Sequence, residues 1–159
     1  GVGDTIVPSA LTRTLPVLLD GFEKPTILTY SLESTISEKF DAIIRFMEST
    51  GRMKDFYDIY YLATSFEFEG RKIQEAIYET LSKRRTPYEK DTVQVIERLI
   101  SNDGIISRWN IFCKKVLKYE LSLDEVVRLI ISFLDPPFQA IIEEDELTKN
   151  WNSNKRKYE

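Results

Sequence analysis

The chain has 159 residues, 42% apolar and 30% charged, with a net charge of −4, one cysteine and no histidine. That balance describes an ordinary globular chain, and no apolar run reaches the roughly 18–20 residues that cross a bilayer. It excludes Ser-His-Asp and Cys-His chemistry, histidine acid–base catalysis, most zinc sites and an internal disulfide.

Chemistry would therefore rest on carboxylates and lysines, which suit oxygen-ligated Mg²⁺. The lone Cys113 points to a reducing, cytoplasmic setting. The net negative charge argues against coating by nucleic acid, though it leaves a local basic patch open.

The chain opens on "GVGD" with no methionine, which reads as the end of a strand whose preceding part lies elsewhere. Residues 5–7, 15–20 and 26–30 are branched or aromatic runs punctuated by Pro8, Gly21 and Pro25, and are predicted as short strands. Three such strands cannot hold a core. Residues 1–30 are thus expected to be the edge of a larger sheet, 31–142 a helical domain of five to six helices, and 143–159 a charged, frayed tail. The predicted class is α+β, mostly α.

From Ser31, a predicted N-cap with Glu33 in the first turn, the period becomes helical. Leu32, Ile36, Phe40, Ile43 and Met47 form an apolar stripe, and Gly51 is the expected stop. A second helix begins in "GRMKDFYDIYYL" and runs to about Ser65. A third follows Gly70, burying Ile73, Ile77 and Leu81. Thr86-Pro87 with Glu89 reads as a capping box that starts a helix reaching Ile100, with Asp91 as the alternative cap. After the break at 101–104, Ile105, Trp109, Phe112 and Val116, with Ile106 and Cys113, form another stripe. Ser122 with Glu125 caps a last helix, ended by "DPP" at 135–137.

The candidate site lies in the second helix. At about 100° per residue, Phe56, Ile59, Tyr60 and Ala63 share the apolar side, Asp55 sits at its border and Asp58 with Lys54 on the polar side. Surface ion pairs explain the pattern equally well: Arg52 with Asp55 and Lys54 with Asp58, each contributing only about 0.3–0.5 kcal/mol. Lys39, at the margin of the preceding stripe, is either a snorkelling lysine or a partner for these carboxylates in a nucleotide-phosphate or Mg²⁺ site. A second basic set, Arg71, Lys72, Lys83, Arg84, Arg85 and Lys90, is either a solvated face or an RNA grip. Trp109 reads as core before it reads as a base-stacking residue, and Cys113 as inert.

Residues 15–62 resemble the AbiEii/AbiGii-type nucleotidyltransferase toxins of abortive-infection, or type IV toxin–antitoxin, systems. The resemblance rests on Glu38-Lys39 with Ala42, then Lys54-Asp55 with Asp58 and Arg52 upstream; "GVGD" with Asp4 is similar to the family's strand that ends in an acid. It covers about a third of the chain closely, and "EGRKIQEAIYETLSKRRTP" and "SRWNIFCKK" less specifically.

The resemblance implies a polymerase-β-like core followed by helices, acting in the cytoplasm in phage defence. It implies NTP and Mg²⁺, an RNA acceptor such as tRNA, and a cognate antitoxin. Carried over, Lys39, Asp55 and Asp58 are the catalytic residues, with Lys39, Lys54 and Arg52 on the nucleotide. The family's Gly-Ser…Asp-x-Asp motif, which holds the metal, is missing from the chain. The expectation is a C-terminal part whose other half lies elsewhere, inactive alone and with no metal ligands of its own. Two alternatives stay open, a non-catalytic helical interaction domain and an RNA-binding module using residues 71–90.

Overall fold

The structure is a computed structural model and describes residues 31–159, so Asp4 and the strands expected at 5–7, 15–20 and 26–30 lie outside the described residues. The elements are α1 (Leu32–Phe46), α2 (Met53–Ser65), β1 (Phe68–Glu69), α3 (Gly70–Arg84), a 3₁₀ helix (Gln94–Ser101), α4 (Asp103–Phe112), α5 (Leu123–Ile142), β2 (Asn150–Asn152) and β3 (Lys157–Tyr158). The class is α+β and mostly α, as the sequence implies.

Helix α1 starts where its cap lies: the Ser31 hydroxyl accepts from the Ser34 N–H at 3.0 Å. Leu32, Ile36, Phe40 and Ile43 are all buried. Its end differs from expectation. Met47, at φ 47°, turns the chain rather than Gly51, and a short 3₁₀ turn, Met47–Ser49, leads to α2. Helix α1 packs on α2 and α3; the Ser37 and Thr80 hydroxyls meet at 2.8 Å across the second contact. Their small side chains let the two backbones approach.

The capping box expected at Thr86 does not form. Arg85 adopts the left-handed conformation (φ 55°), and the Thr86 N–H closes the α3 terminus on the Leu81 carbonyl at 3.0 Å. The Thr86 hydroxyl then donates to buried Asp41 on α1. With that side chain committed, helix resumes only at Gln94.

Helix α4 buries Ile105 and Trp109, and the Trp109 indole donates to the Leu121 carbonyl at 2.7 Å. Trp109 is core, not a stacking platform. The stripe then breaks its period. One π-helical turn, Cys113–Leu117, inserts an extra residue, so Leu117 turns inward and Val116 is left 45% exposed.

The prolines do not end α5, which runs through Pro136 and Pro137 to Ile142. Proline's φ fits a helix; the loss is the N–H that would bond the carbonyl four residues back. For Pro137 that carbonyl belongs to Phe133, and it accepts from the Tyr158 hydroxyl at 2.8 Å instead.

Tyr158 belongs to the tail, which is ordered rather than frayed. Its strands join β1 in an antiparallel sheet of order β1-β2-β3, Phe68 opposite Trp151 and Trp151 opposite Tyr158. Trp151 is fully buried, 4.8 Å from the Phe133 ring, and its indole donates to the Ala63 carbonyl at the end of α2 at 2.7 Å. Gly70 is required here: a Cβ would lie 2.3 Å from the Lys149 carbonyl oxygen. No described helix is long and apolar enough to cross a membrane.

Candidate functional site

The α1–α2 contact carries the charged residues singled out in the sequence. Lys39, halfway along α1, reaches across to α2: its Nζ lies 3.0 Å from Asp58 Oδ2 and 3.4 Å from Asp55 Oδ1. Both surface pairs weighed from spacing also exist. Arg52 Nε is 3.1 Å from Asp55 Oδ2, and Lys54 Nζ 3.2 Å from Asp58 Oδ2. The alternatives are therefore not exclusive. Arg52 and Lys54 are the solvent end of one network whose inner member is Lys39.

Burial sets this network apart from a salt-bridged surface. Lys39 is 6% exposed, Asp55 2% and Asp58 0%, against 61% for Arg52. The helical wheel placed Asp58 on the wet side of α2, and the structure overturns that. Tyr57, Asp58 and Ile59 are all buried in sequence, so α2 is covered on more than one face. A wheel ranks faces within one helix and is blind to a lysine arriving from another. Burial pushes the Asp58 carboxyl above its ordinary range, with Lys39 and Lys54 pulling the other way. Asp58 Oδ1 is buried and has no hydrogen-bond partner among the described residues.

On the solvent side lies a cleft of about 480 Å³, lined by Lys39, Arg52 and Asp55 with Arg45, Lys83 and Arg84, and floored by Ala42 and Phe46. Its far wall is a second ion-pair cluster that sequence reasoning missed. Asp41 is fully buried and held by Arg45 at 2.8 Å and by the Thr86 hydroxyl, while Arg84 pairs with Glu38 at 2.7 Å. The i,i+4 spacing of Asp41 and Arg45 was the available signal. The contribution of Arg84 and Thr86 depends on how α3 packs, which no local pattern reports.

The basic set on α3 is divided. Lys83 and Arg84 enter the cleft, whereas Lys72 pairs with Glu69 at the other end of the helix. At 1.5 Å per residue, Arg71 and Arg84 are about 20 Å apart along the axis. Arg71, Lys72, Lys83, Arg84 and Arg85 do not make one patch.

A divalent cation fits these residues poorly. Asp55 and Asp58 are each already neutralised by cations, Asp58 Oδ2 by two lysines, and Mg²⁺ at that oxygen would displace an ammonium. Among the described residues no group of three or more carboxylate, cysteine or histidine side chains converges on a point. What the cluster offers is a fixed ammonium beside guanidinium groups, a geometry that receives phosphate.

The sequence profile of the family described as "Nucleotidyl transferase AbiEii toxin, Type IV TA system" matches residues 1–144. No curated protein and no solved structure matches the chain.

Proposed function

The chain belongs to the AbiEii nucleotidyl transferase toxin family, and on that premise we propose that Lys39, Asp55 and Asp58 form the donor-nucleotide wall of an enzyme that transfers a nucleotide from NTP to RNA, such as tRNA. Membership in a type IV toxin–antitoxin family implies an antitoxin partner, and the toxin acts in the cytoplasm in phage defence.

One observation carries the reading: a buried ammonium held at 3.0 and 3.4 Å between two buried carboxylates at the edge of a cationic cleft. A lysine used only to cover apolar surface extends its head into water. Here the head is withdrawn and clamped, which costs desolvation and fixes one position for the charge.

Nucleotidyl transfer forms a bond between an acceptor hydroxyl oxygen and the α-phosphorus and breaks the bond to pyrophosphate. Pyrophosphate leaves with the electron pair, and the hydroxyl proton passes to water. Such reactions depend on positioning and on charge placed before the reaction begins. Lys39 supplies that charge to the phosphates. Asp55 and Asp58 keep its ammonium in place, and Arg52 and Lys54 extend the positive wall toward solvent. The metal-binding carboxylates of the family's Gly-Ser…Asp-x-Asp motif belong to another segment, and residues 1–159 alone are inactive.

The test is transfer of labelled nucleotide to tRNA by the chain joined to a segment bearing that motif. Lys39→Ala and Asp58→Ala are each expected to lower the rate by about 100-fold or more, the usual size of losing one preorganised electrostatic group. Full activity in both variants would overturn the site, and transfer by residues 1–159 alone would overturn the division between the two walls.

A further inference from the structure

Arg52 and Lys54 face a second depression on the side away from α1. It has a volume of about 770 Å³ and lies between the residues that lead into α2 and the outer face of α4 with its π turn. Arg108, Ile111, Phe112 and Lys115 supply its α4 side, at the i, i+3, i+4, i+7 spacing that puts four side chains on one helical face. Val116, displaced outward by the π turn, completes the wall.

Two properties of this groove differ from the cleft beside Lys39. Its described lining holds four cations, Arg52, Lys54, Arg108 and Lys115, and no carboxylate. Arg108 and Lys115 make no ion pair with any described residue, and Arg108 Nε is buried without a hydrogen-bond partner while the same guanidinium donates to the Glu48 carbonyl at 2.6 Å. Its floor, like that of the cleft, is apolar and open, with Ile111 51% and Val116 45% exposed. Lys114 and Lys118 stand exposed next to it. Two cations without an acid partner among the described residues, Arg108 and Lys115, beside the paired Arg52 and Lys54 along an apolar trough, call for a ligand with regularly spaced negative charge and flat apolar faces.

We propose that this groove binds single-stranded RNA, with phosphates on Arg52, Lys54, Arg108 and Lys115 and bases against Ile111, Phe112 and Val116. The assignment rests on the nucleotidyltransferase reading only for the strand's role as acceptor. Arg52 lines both depressions. A strand in the groove therefore ends beside the donor cleft, with its terminal hydroxyl presented to the nucleotide.

The experiment is equilibrium binding of a fluorescent single-stranded RNA to the 159-residue chain over a salt series, with NTP binding measured in parallel. Lys115 and Ile111 are exposed, so their alanine variants keep the fold. Lys115→Ala is expected to weaken RNA several-fold and to lower the salt slope by about 0.7, the value for one phosphate of a single strand. Ile111→Ala should weaken RNA with an unchanged slope, because it removes contact area and no charge. NTP binding should stay as in the wild type for both, and an Arg71→Ala/Lys72→Ala control should leave RNA binding unchanged. RNA affinity and slope unaffected by Lys115→Ala would overturn the site. Equal affinity for a polyglutamate peptide, lost in the same variants, would overturn RNA as the occupant and assign the groove to an acidic protein. RNA bound as described, with no nucleotide ever transferred to it, would leave the groove standing and refute the acceptor role.

Discussion

Two depressions meet at Arg52, and they treat charge in opposite ways. In the cleft beside α1 cations are matched with carboxylates: Lys39 with Asp55 and Asp58, Arg45 with Asp41, Arg84 with Glu38. In the groove beside α4, Arg108 and Lys115 lie by apolar side chains with no acid paired to them among the described residues. The first arrangement fixes charge in place before a ligand arrives, at a cost in desolvation. The second leaves two of its four cations, Arg108 and Lys115, without an acid partner among the described residues, and a polyanion would supply one. One suits a small ligand whose reacting atoms must be held in place, the other a long ligand held at several points.

The largest expected effect separates the two directly. Lys39→Ala strips a buried partner from two buried carboxylates and should cost about 3–5 kcal/mol in a urea denaturation series. A cost under about 1 kcal/mol would mean that the buried network is no different from a surface pair.

The next effect is a pH dependence. Burial raises the Asp58 carboxyl above its ordinary value of 3.8. The folded state therefore holds that proton more tightly than the unfolded chain. Stability from this group is fully present below the ordinary value and is lost as pH rises through the raised one. Asp58→Asn should remove that slope, so the stability of the wild type relative to the variant should fall with rising pH. A difference that grew with pH would reverse the sign of the shift and contradict the burial argument.

Arg52→Ala should be mild in stability, about 0.2–1 kcal/mol, because the side chain is 61% exposed. It should nonetheless weaken both NTP and RNA, since this residue borders both depressions. Loss of one ligand alone would show that they are not neighbours in function. Smallest of all, Lys115→Ala should change stability by no more than about 0.5 kcal/mol, as for other surface substitutions. A large loss would show that the groove's charge is structural.

Much of this was legible in the sequence, to a degree that follows from range. The caps at Ser31 and Ser122 and the stripes through Ile36 and Ile77 are local patterns, and they hold. Lys39, Arg52, Lys54, Asp55 and Asp58 were named from the sequence and lie together. Lost were features decided between distant segments. Asp58 is buried because a lysine on α1 reaches it, not because of its own helix. The prolines continue α5, with the freed Phe133 carbonyl taken by a hydroxyl 25 residues away. The charged tail concealed Trp151, which is buried against β1 and α5, elements far from it in sequence. The open groove was missed because its cations come from residues 52–54 and 108–115, two segments that only the packing of α4 brings together.

The central claim is a division of labour between a preformed donor cleft and an open acceptor groove. It is tested most directly by measuring NTP and RNA affinity on the same two proteins, Lys39→Ala and Lys115→Ala, with folding of each verified. The account predicts a crossed result, Lys39→Ala losing NTP and keeping RNA, Lys115→Ala losing RNA and keeping NTP. Both variants weakening the same ligand, or neither weakening any, would contradict it.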